Sequence, residues 1–178
     1  MSPAPELTAL PEGLASLDHL PVRRLCAMAV RFEQMHVFST PLGTRITAVA
    51  GGGELRGPAL SGTVAPGGGD WLLVGSDGVA RLDIRITVVA DDGNVVSLTG
   101  SGRVLLTPEG RERFLAGETV GDDEMSGRAT LLFETGSERH AWANSVVAVG
   151  IVTELAQSHI RYEVYGLDPR VPPRPDRR

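Results

Sequence analysis

Two aspartates near the middle of the chain have neighbours suited to acid/base chemistry. Asp70 follows a run of three glycines and precedes Trp71, so a carboxyl group and a large aromatic ring stand together after a flexible turn. Asp83 and Arg85 are two residues apart, which in a strand places them on one face about 7 Å apart. A carboxylate shielded from water has a raised pKa and can act as a general base near neutral pH. The alternatives are a turn aspartate beside a core tryptophan and a solvated ion pair.

A second group of polar and aromatic residues lies later in the chain. His140, Trp142 and Asn144 alternate, so a strand through them places all three on one face. Arg128 and Glu134 are evenly spaced on the preceding predicted strand and can join either group. The alternative for the three alternating residues is an edge strand of mixed polarity.

The composition excludes several chemistries. All 17 basic residues are arginine, which rules out Schiff-base and PLP-lysine catalysis. The single cysteine, Cys26, excludes an internal disulfide and any multi-cysteine metal site. The four histidines are scattered without the close spacing of metal ligands, so we expect no metal. Ser76 lies in a Gly-Ser-Asp-Gly turn rather than at a strand-to-helix elbow, so no nucleophilic triad is supported.

Net charge and hydropathy limit the classes of molecule that the protein is expected to bind. The chain has 178 residues, a net charge of -5 and a pI of about 5.4, so it has no basic footprint for nucleic acid. No stretch approaches the roughly 18 apolar residues that cross a bilayer. The first residues lack the pattern of a secretory signal. We therefore expect a cytoplasmic protein that binds neither nucleic acid nor membrane.

Short runs of Val, Ile, Leu and Thr between 22 glycines predict an all-β sandwich or barrel. Gly51–Gly53 and Gly67–Gly69 are predicted to be turns. One short helix is predicted from Pro108 to Ala116, closed by Gly117. The proline-containing segment 1–20 reads as an N-terminal arm, 21–167 as the β domain and 168–178 as a flexible Pro/Arg-rich tail. The predicted strands are 22–33, 44–50, 55–63, 70–75, 79–90, 94–106, 127–135, 141–154 and 159–166.

The best-defined element is a hairpin around Asp91-Asp92-Gly93. Residues 80–90 alternate strictly between apolar and polar side chains. A three-residue loop with Gly93 in the left-handed conformation pairs Ala90 with Asn94. Only this register keeps one face apolar and the other polar, whereas a two-residue loop mixes them.

The hairpin therefore carries a polar stripe on one face. In an open antiparallel sheet such a stripe faces water, and in a closed barrel that holds a ligand it can line the cavity. The residues by themselves favour the solvent-facing arrangement. The stripe comprises Arg81, Asp83, Arg85, Thr87, Ser97, Thr99, Ser101 and Arg103.

Several segments together resemble the domain-of-unknown-function 3237 family over roughly residues 25–166. The glycine-rich run 52–62 is followed by Pro66–Trp71 and then by Asp77-Gly78-Val79-Ala80-x-Leu82-Asp83-x-Arg85. Phe133–Gly136, Trp142-x-Asn144 and Val149-Gly150 continue the pattern in the expected order. The resemblance implies an all-β fold, an antiparallel closed or nearly closed β-barrel of about 8–10 strands with one short helix. It also implies a homodimer.

The family has members in polyketide pathways that assist ring closure or release without a cofactor. The resemblance thus implies a cofactor-independent cyclase or isomerase acting on a polyketide-like small molecule. Asp70 or Asp83 would serve as acid/base, Arg85 and Asn144 would stabilise an oxyanion, and the two tryptophans would form the walls. In a closed barrel, Asp83 and Arg85 would point into a partly apolar pocket.

The sequence departs from the family pattern at two places, both of which can reshape a cavity. His140 stands where an aromatic residue is common, and the segment around Thr99 has unusually small side chains. Two other functions stay open, namely a barrel that binds a small molecule without changing it and a hydrolase that releases or lactonises a polyketide chain. A third alternative is an interaction subunit whose polar stripe is only surface. The candidate substrate-binding residues are Trp71, Thr99, Arg128, Glu134, His140, Trp142 and Asn144.

Overall fold

The structure, a computed structural model, describes residues 20–167. The predicted N-terminal arm, apart from Leu20, and the predicted tail lie outside the described residues. Within the described range 64% of the residues are in β-strands, which are connected by turns and two short helices. The elements are β1 (Arg23–Thr40), β2 (Gly43–Arg56), β3 (Gly62–Val64), β4 (Gly69–Val74), β5 (Ala80–Ala90), β6 (Val95–Leu106), α1 (Pro108–Leu115), β7 (Val120–Gly121), β8 (Met125–Glu134), a 3-10 helix (Ala141–Ser145), β9 (Val147–Ala156) and β10 (His159–Gly166).

The strands form a closed antiparallel barrel. Their order is β1-β10-β9-β8-β6-β5, then β3 and β4 together, then β2, which returns to β1. Because β3 and β4 both lie between β5 and β2, they fill a single position, and the barrel has eight positions. The short β7 pairs with β9 outside this circuit. The predicted all-β barrel with one α-helix is confirmed.

The β5–β6 hairpin has the predicted register. Ala90 N–H donates to Asn94 O over 2.8 Å, and Gly93 has φ of +82°, a left-handed conformation that favours glycine. Ile86 lies opposite Leu98, and every polar residue of the stripe meets a polar partner. The apolar row is therefore on one side of the sheet along the whole length of the hairpin.

The apolar side chains of every long strand meet inside the barrel. Alternation along β5 and β8 leaves each second residue buried, as the pleat of a strand requires. Small residues in these rows let the strands approach, since a Cβ at Gly102 would lie 2.3 Å from the carbonyl oxygen of Arg128. The largest fully buried side chains are Leu25, Met28, Leu55, Leu60, Leu98, Leu131, Val88, Val96, Val120, Val152 and Val164.

Helix α1 lies at one end of the barrel and confirms the prediction. The Thr107 hydroxyl accepts a hydrogen bond from Gly110 N–H over 3.1 Å, which caps the first turn, and Pro108 follows at a position that needs no donor. Arg113 at the other end of the helix binds Glu118 and Glu124 at 2.9 and 2.6 Å. These ion pairs hold the loop after α1 against the start of β8.

Three predictions about local structure are wrong. Gly51–Gly53 is not a turn but lies within β2, where the pairing with β1 is irregular. The segment 141–145 is a 3-10 helix rather than a strand, so His140, Trp142 and Asn144 do not share a strand face. The predicted strand 22–33 is too short, because β1 continues to Thr40, where within residues 20–167 it pairs with β2 alone and Val37 is 61% exposed.

Candidate functional site

The polar stripe faces outward, although the barrel is closed. Leu82, Ile84 and Ile86 fill the interior, so Asp83 and Arg85 between them point to solvent, with side chains 54% and 69% exposed. The two form an ion pair of 3.4 Å. The expectation that Asp83 and Arg85 enter an enclosed pocket is therefore wrong, and the desolvation that would make Asp83 a base is absent.

Trp71 also lies on the outside of the barrel. It follows the inward-pointing Asp70 by one residue and is 39% exposed. Its backbone oxygen accepts a 3.4 Å hydrogen bond from the Arg45 guanidinium. The expectation that Trp71 forms a wall of an interior pocket is therefore wrong, because successive residues of a strand point to opposite faces and Asp70 takes the inward position.

Asp70 is the predicted acid/base residue that lies inside the barrel. It stands between Ala48 and Ile84 on the neighbouring strands and is only 7% exposed. Burial raises its pKa to about 6, and the nearby charge of Asp83 acts in the same direction. The backbone N–H of Asp83 donates to Asp70 Oδ1 over 2.8 Å, which fixes the carboxyl group and partly opposes the shift.

Tyr162 shares the interior with Asp70 and was not singled out from the sequence. Burial raises the pKa of its hydroxyl, and the negative charge of Asp70 raises it further, so the phenol is a neutral hydrogen-bond donor. Its ring packs against Gly150, where an added Cβ would lie 3.1 Å from the ring. The available signal was its place between Ile160 and Val164, as the one polar side chain of an inward row.

Asp70 and Tyr162 both keep hydrogen-bonding capacity that the surrounding described residues do not satisfy. The Tyr162 hydroxyl and the second carboxylate oxygen of Asp70, Oδ2, form no hydrogen bond with any of residues 20–167. A neutral donor and a carboxyl group that titrates near neutral pH thus occur together in an aliphatic interior. This combination suits the transfer of a proton between two positions of a bound molecule.

The interior is bordered by apolar side chains at the end of the barrel that carries α1. Leu72 lies two residues beyond Asp70 on the same face of β4 and is only partly buried. Similar partly buried residues come from β1, β5, β6, α1 and β9 and pack against the core. With Leu72 they form an apolar rim, which comprises Phe32, Leu72, Ala80, Leu106, Phe114 and Leu155.

Three predicted binding residues meet at a separate groove on the outer wall. The groove has a volume of about 330 Å³ and lies between β6 and β8, next to the 3-10 helix. The amide group of Asn144 has a structural role there, because it accepts a hydrogen bond from Thr135 N–H and donates one to Thr135 O. The groove is lined by Ser97, Thr99, Leu132, Phe133, Glu134, Asn144 and Val146.

The remaining candidate residues are dispersed. His140 is buried beside the β5–β6 turn, where its Nε2 lies 2.9 Å from Asp92 Oδ2, and Arg139 binds the same carboxylate at 3.3 Å. Trp142 packs against the core from the 3-10 helix. Arg128 lies on the outer face of β8, far from Asp70 in the strand order. The structure therefore does not bring the predicted set together in one site.

Other reactive groups contribute little. Burial raises the pKa of the Cys26 thiol to about 12, so the thiol stays protonated. Among residues 20–167 no three His, Cys, Asp or Glu side chains converge in a way that could hold a metal ion. The helices of this range are too short to cross a membrane.

A family model and two curated relatives match this chain. A model described as "Protein of unknown function (DUF3237)" matches residues 21–167. A UPF0311 protein of Rhodopseudomonas palustris is 28% identical over 99 residues, which are 56% of this chain and 65% of that protein. A UPF0311 protein of Clostridium acetobutylicum is 28% identical over 106 residues, which are 60% of this chain and 67% of that protein.

Solved structures share the barrel. A β-barrel-like protein from Acinetobacter baumannii has a TM-score of 0.69 and 27% identity, covering 84% of this chain and 98% of its own. A conserved protein of unknown function from R. palustris has a TM-score of 0.78 and 22% identity, covering 84% and 99%. An enzyme from Penicillium herquei has a TM-score of 0.61 and 21% identity, covering 83% and 93%. The last two identities show the fold alone.

Proposed function

The chain belongs to the DUF3237 family, and from this premise we propose that it is a cofactor-independent isomerase or cyclase with its acid/base group inside the barrel. Asp70 is the acid/base residue, and Tyr162 is the hydrogen-bond donor to the reacting oxygen. The observation that carries the proposal is the burial of Asp70, with its pKa raised to about 6, in the same barrel interior as a neutral buried phenol.

The chemistry that suits this pair is proton transfer next to a carbonyl group. The ionised Asp70 takes a proton from the carbon beside the carbonyl, and the electron pair moves onto the carbonyl oxygen. Tyr162 donates a hydrogen bond to the resulting enolate, which it can do because the phenol remains protonated. Asp70 then returns the proton to another position. Alternatively, the enolate carbon attacks a second carbonyl carbon of the same molecule and closes a ring, and the protonated Asp70 gives its proton to the alkoxide oxygen that forms there.

The surroundings favour an apolar substrate rich in carbonyl groups, such as a polyketide-like molecule. The rim at the α1 end presents aliphatic and aromatic side chains. An aliphatic interior strengthens the few polar contacts that a substrate makes there. The P. herquei enzyme supports the idea that a barrel of this fold can serve catalysis.

Deuterium exchange provides a test that needs no knowledge of the natural substrate. Flat aryl methyl ketones are incubated with the protein in D₂O, and exchange of the methyl protons is followed by NMR. We expect catalysed exchange that rises with pH around an apparent pKa of about 6, because Asp70 must be ionised. Asp70→Asn should lose about 100-fold or more of the rate, and Tyr162→Phe should lower it without abolishing it.

The matched control is Asp83→Asn, which changes a carboxylate on the outer face of the adjacent strand. It should retain the wild-type exchange rate. Equal rates for wild type and Asp70→Asn would remove Asp70 from the chemistry. Ketone binding without exchange would instead favour a non-catalytic binding barrel, and uptake of ¹⁸O from labelled water into an ester probe would favour a hydrolase.

A further inference from the structure

Three arginines stand directly opposite one another on the outer wall of the barrel. Arg81 of β5 pairs with Arg103 of β6, and Arg103 pairs with Arg128 of β8. Residues opposite each other in antiparallel strands have Cα atoms about 4.5–5.5 Å apart. Like charges in such positions repel and destabilise a sheet. A protein with a net charge of -5 therefore concentrates positive charge where it is unfavourable for folding.

Only one of the three guanidinium groups is neutralised by a carboxylate of the described residues. Arg81 binds Asp77 at 2.6 Å. Arg103 and Arg128 form no ion pair with residues 20–167, and each donates one hydrogen bond of 2.7 Å to the backbone oxygen of the preceding glycine. Each bond uses a single N–H group, so most of the N–H donors of both side chains stay unused among residues 20–167.

The neighbouring positions on this face add two hydroxyl groups that can donate hydrogen bonds, and the nearest carboxylate there is already paired. Ser101 and Thr130 are exposed and lie opposite each other, two residues along the same strands on the same face. Asp83, the next carboxylate in that row, is held by Arg85. The patch thus combines two positive charges with two hydroxyl groups on a rigid sheet.

We propose that Arg103 and Arg128 bind a phosphate group, with Ser101 and Thr130 as additional hydrogen-bond donors. Arginine is suited to this ligand because its planar donors match phosphate oxygens in pairs. Two guanidinium groups also match the two charges of a phosphate monoester near neutral pH. The site lies on the outer wall and is independent of Asp70 and the proposed acid/base chemistry.

Thermal unfolding in the presence of inorganic phosphate tests the proposal. At constant ionic strength and pH, the Tm of the wild-type protein should rise with phosphate and approach saturation, since a ligand that binds only the folded state stabilises it. Arg103→Gln and Arg128→Gln should bind phosphate about tenfold more weakly or worse. Arg111→Gln, on the exposed side of α1, is the control and should behave like wild type.

The variants remain informative because they should fold at least as well as wild type. Removing one of two facing charges relieves repulsion, so their Tm without phosphate should be equal or higher. Glycerol 3-phosphate used in place of inorganic phosphate shows whether an ester or the free anion is preferred, and either result supports the site. The absence of a saturable shift in wild type, or an equal shift in Arg103→Gln and Arg128→Gln, would overturn it. A response to a glutamate-rich peptide but not to phosphate would overturn it too, and would assign the patch to an acidic protein surface.

Discussion

Asp70 and Asp83 are neighbours across β4 and β5 but lie on opposite sides of the barrel wall. One backbone N–H, that of Asp83, connects them by donating to Asp70 Oδ1. The wall places Asp70 in an aliphatic interior, where burial raises its pKa, and Asp83 in water. The proposed chemistry consequently rests on Asp70 alone.

The interior position of Asp70 predicts a pH-dependent stability. Its pKa is about 6 in the folded protein and 3.8 in the unfolded reference, a difference of about two units or about 3 kcal/mol. Above pH 6 the folded protein carries the full cost of a buried charge. As the pH falls from about 6 to about 4, the folded protein binds a proton that the unfolded chain does not, so this cost is relieved.

Asp70→Asn removes the titrating charge and keeps an oxygen that can accept from the Asp83 N–H. At pH 8 we expect the variant to be more stable than wild type by up to about 3 kcal/mol, and near pH 4 we expect the two to converge. Urea unfolding at both pH values measures the difference. Asp83→Asn, as the control, should preserve most of the wild-type pH dependence. A difference between Asp70→Asn and wild type that does not change with pH would contradict the assignment.

At the residue scale, the sequence predicted the functional role of some side chains and not of others. Asp70 was a predicted acid/base residue because it stands beside Trp71. The alternation of β5 favoured a solvent-facing position for Asp83 and Arg85, whereas the family resemblance implied that they line a pocket. Tyr162 was not predicted, because its importance comes from the charge of Asp70, about ninety residues earlier, which acts on it only when both lie in the closed barrel.

Among the elements, the hairpin β5–β6 shows what a local pattern can determine. Its register follows from strict alternation and from the single glycine that permits the turn, so it could be predicted. The 3-10 helix could not, because it is held by contacts with distant segments. Asn144 binds the backbone of Thr135, and His140 binds Asp92 of the hairpin turn.

The close approach of β6 and β8 at Gly102 predicts a large effect of a small change. A Cβ there would lie 2.3 Å from Arg128 O and 2.8 Å from the Ala129 Cα, which are backbone atoms of a paired strand. Gly102→Ala should therefore lower the free energy of unfolding by about 1–3 kcal/mol, as in other overpacked sites. Gly136→Ala, with nothing within 4 Å of the new methyl group, should be nearly neutral. Similar losses in urea unfolding for the two variants would show that the strands separate easily at Gly102.

At the scale of the whole molecule, β1 closes the barrel by pairing with both β10 and β2, and it also extends beyond its pairing with β10. Residues 27–31 pair with both β10 and β2, whereas residues 34–40 pair, among the described residues, with β2 alone. The sequence pattern indicated many short strands but could not show this change of partners, because it depends on where β10 begins, far along the chain. An unpaired edge of this kind is a template for another strand.

We predict that a second copy of the chain covers this edge. The edge carries no charged residue between Gln34 and Thr40, and Val37 and Phe38 are 61% and 53% exposed. Two copies can pair there antiparallel around a twofold axis without charge repulsion. Val37→Lys should shift the protein from dimer towards monomer in light scattering after gel filtration. Leu115→Lys, an exposed position on α1, is the control, and an unchanged dimer in Val37→Lys would place the contact elsewhere.

The pairing of β1 with β10 also sets an order of events during synthesis. Arg23 meets Gly166 and Arg31 meets His159, so these partners are separated by most of the described chain. On the ribosome, β1 can join β2 at once, but its other side has no partner until β10 has left the exit tunnel. Contacts of such long range make folding slow and leave hydrophobic surface exposed for that time. We expect Asp70 to remain hydrated until this pairing forms, because its burial depends on the closed barrel.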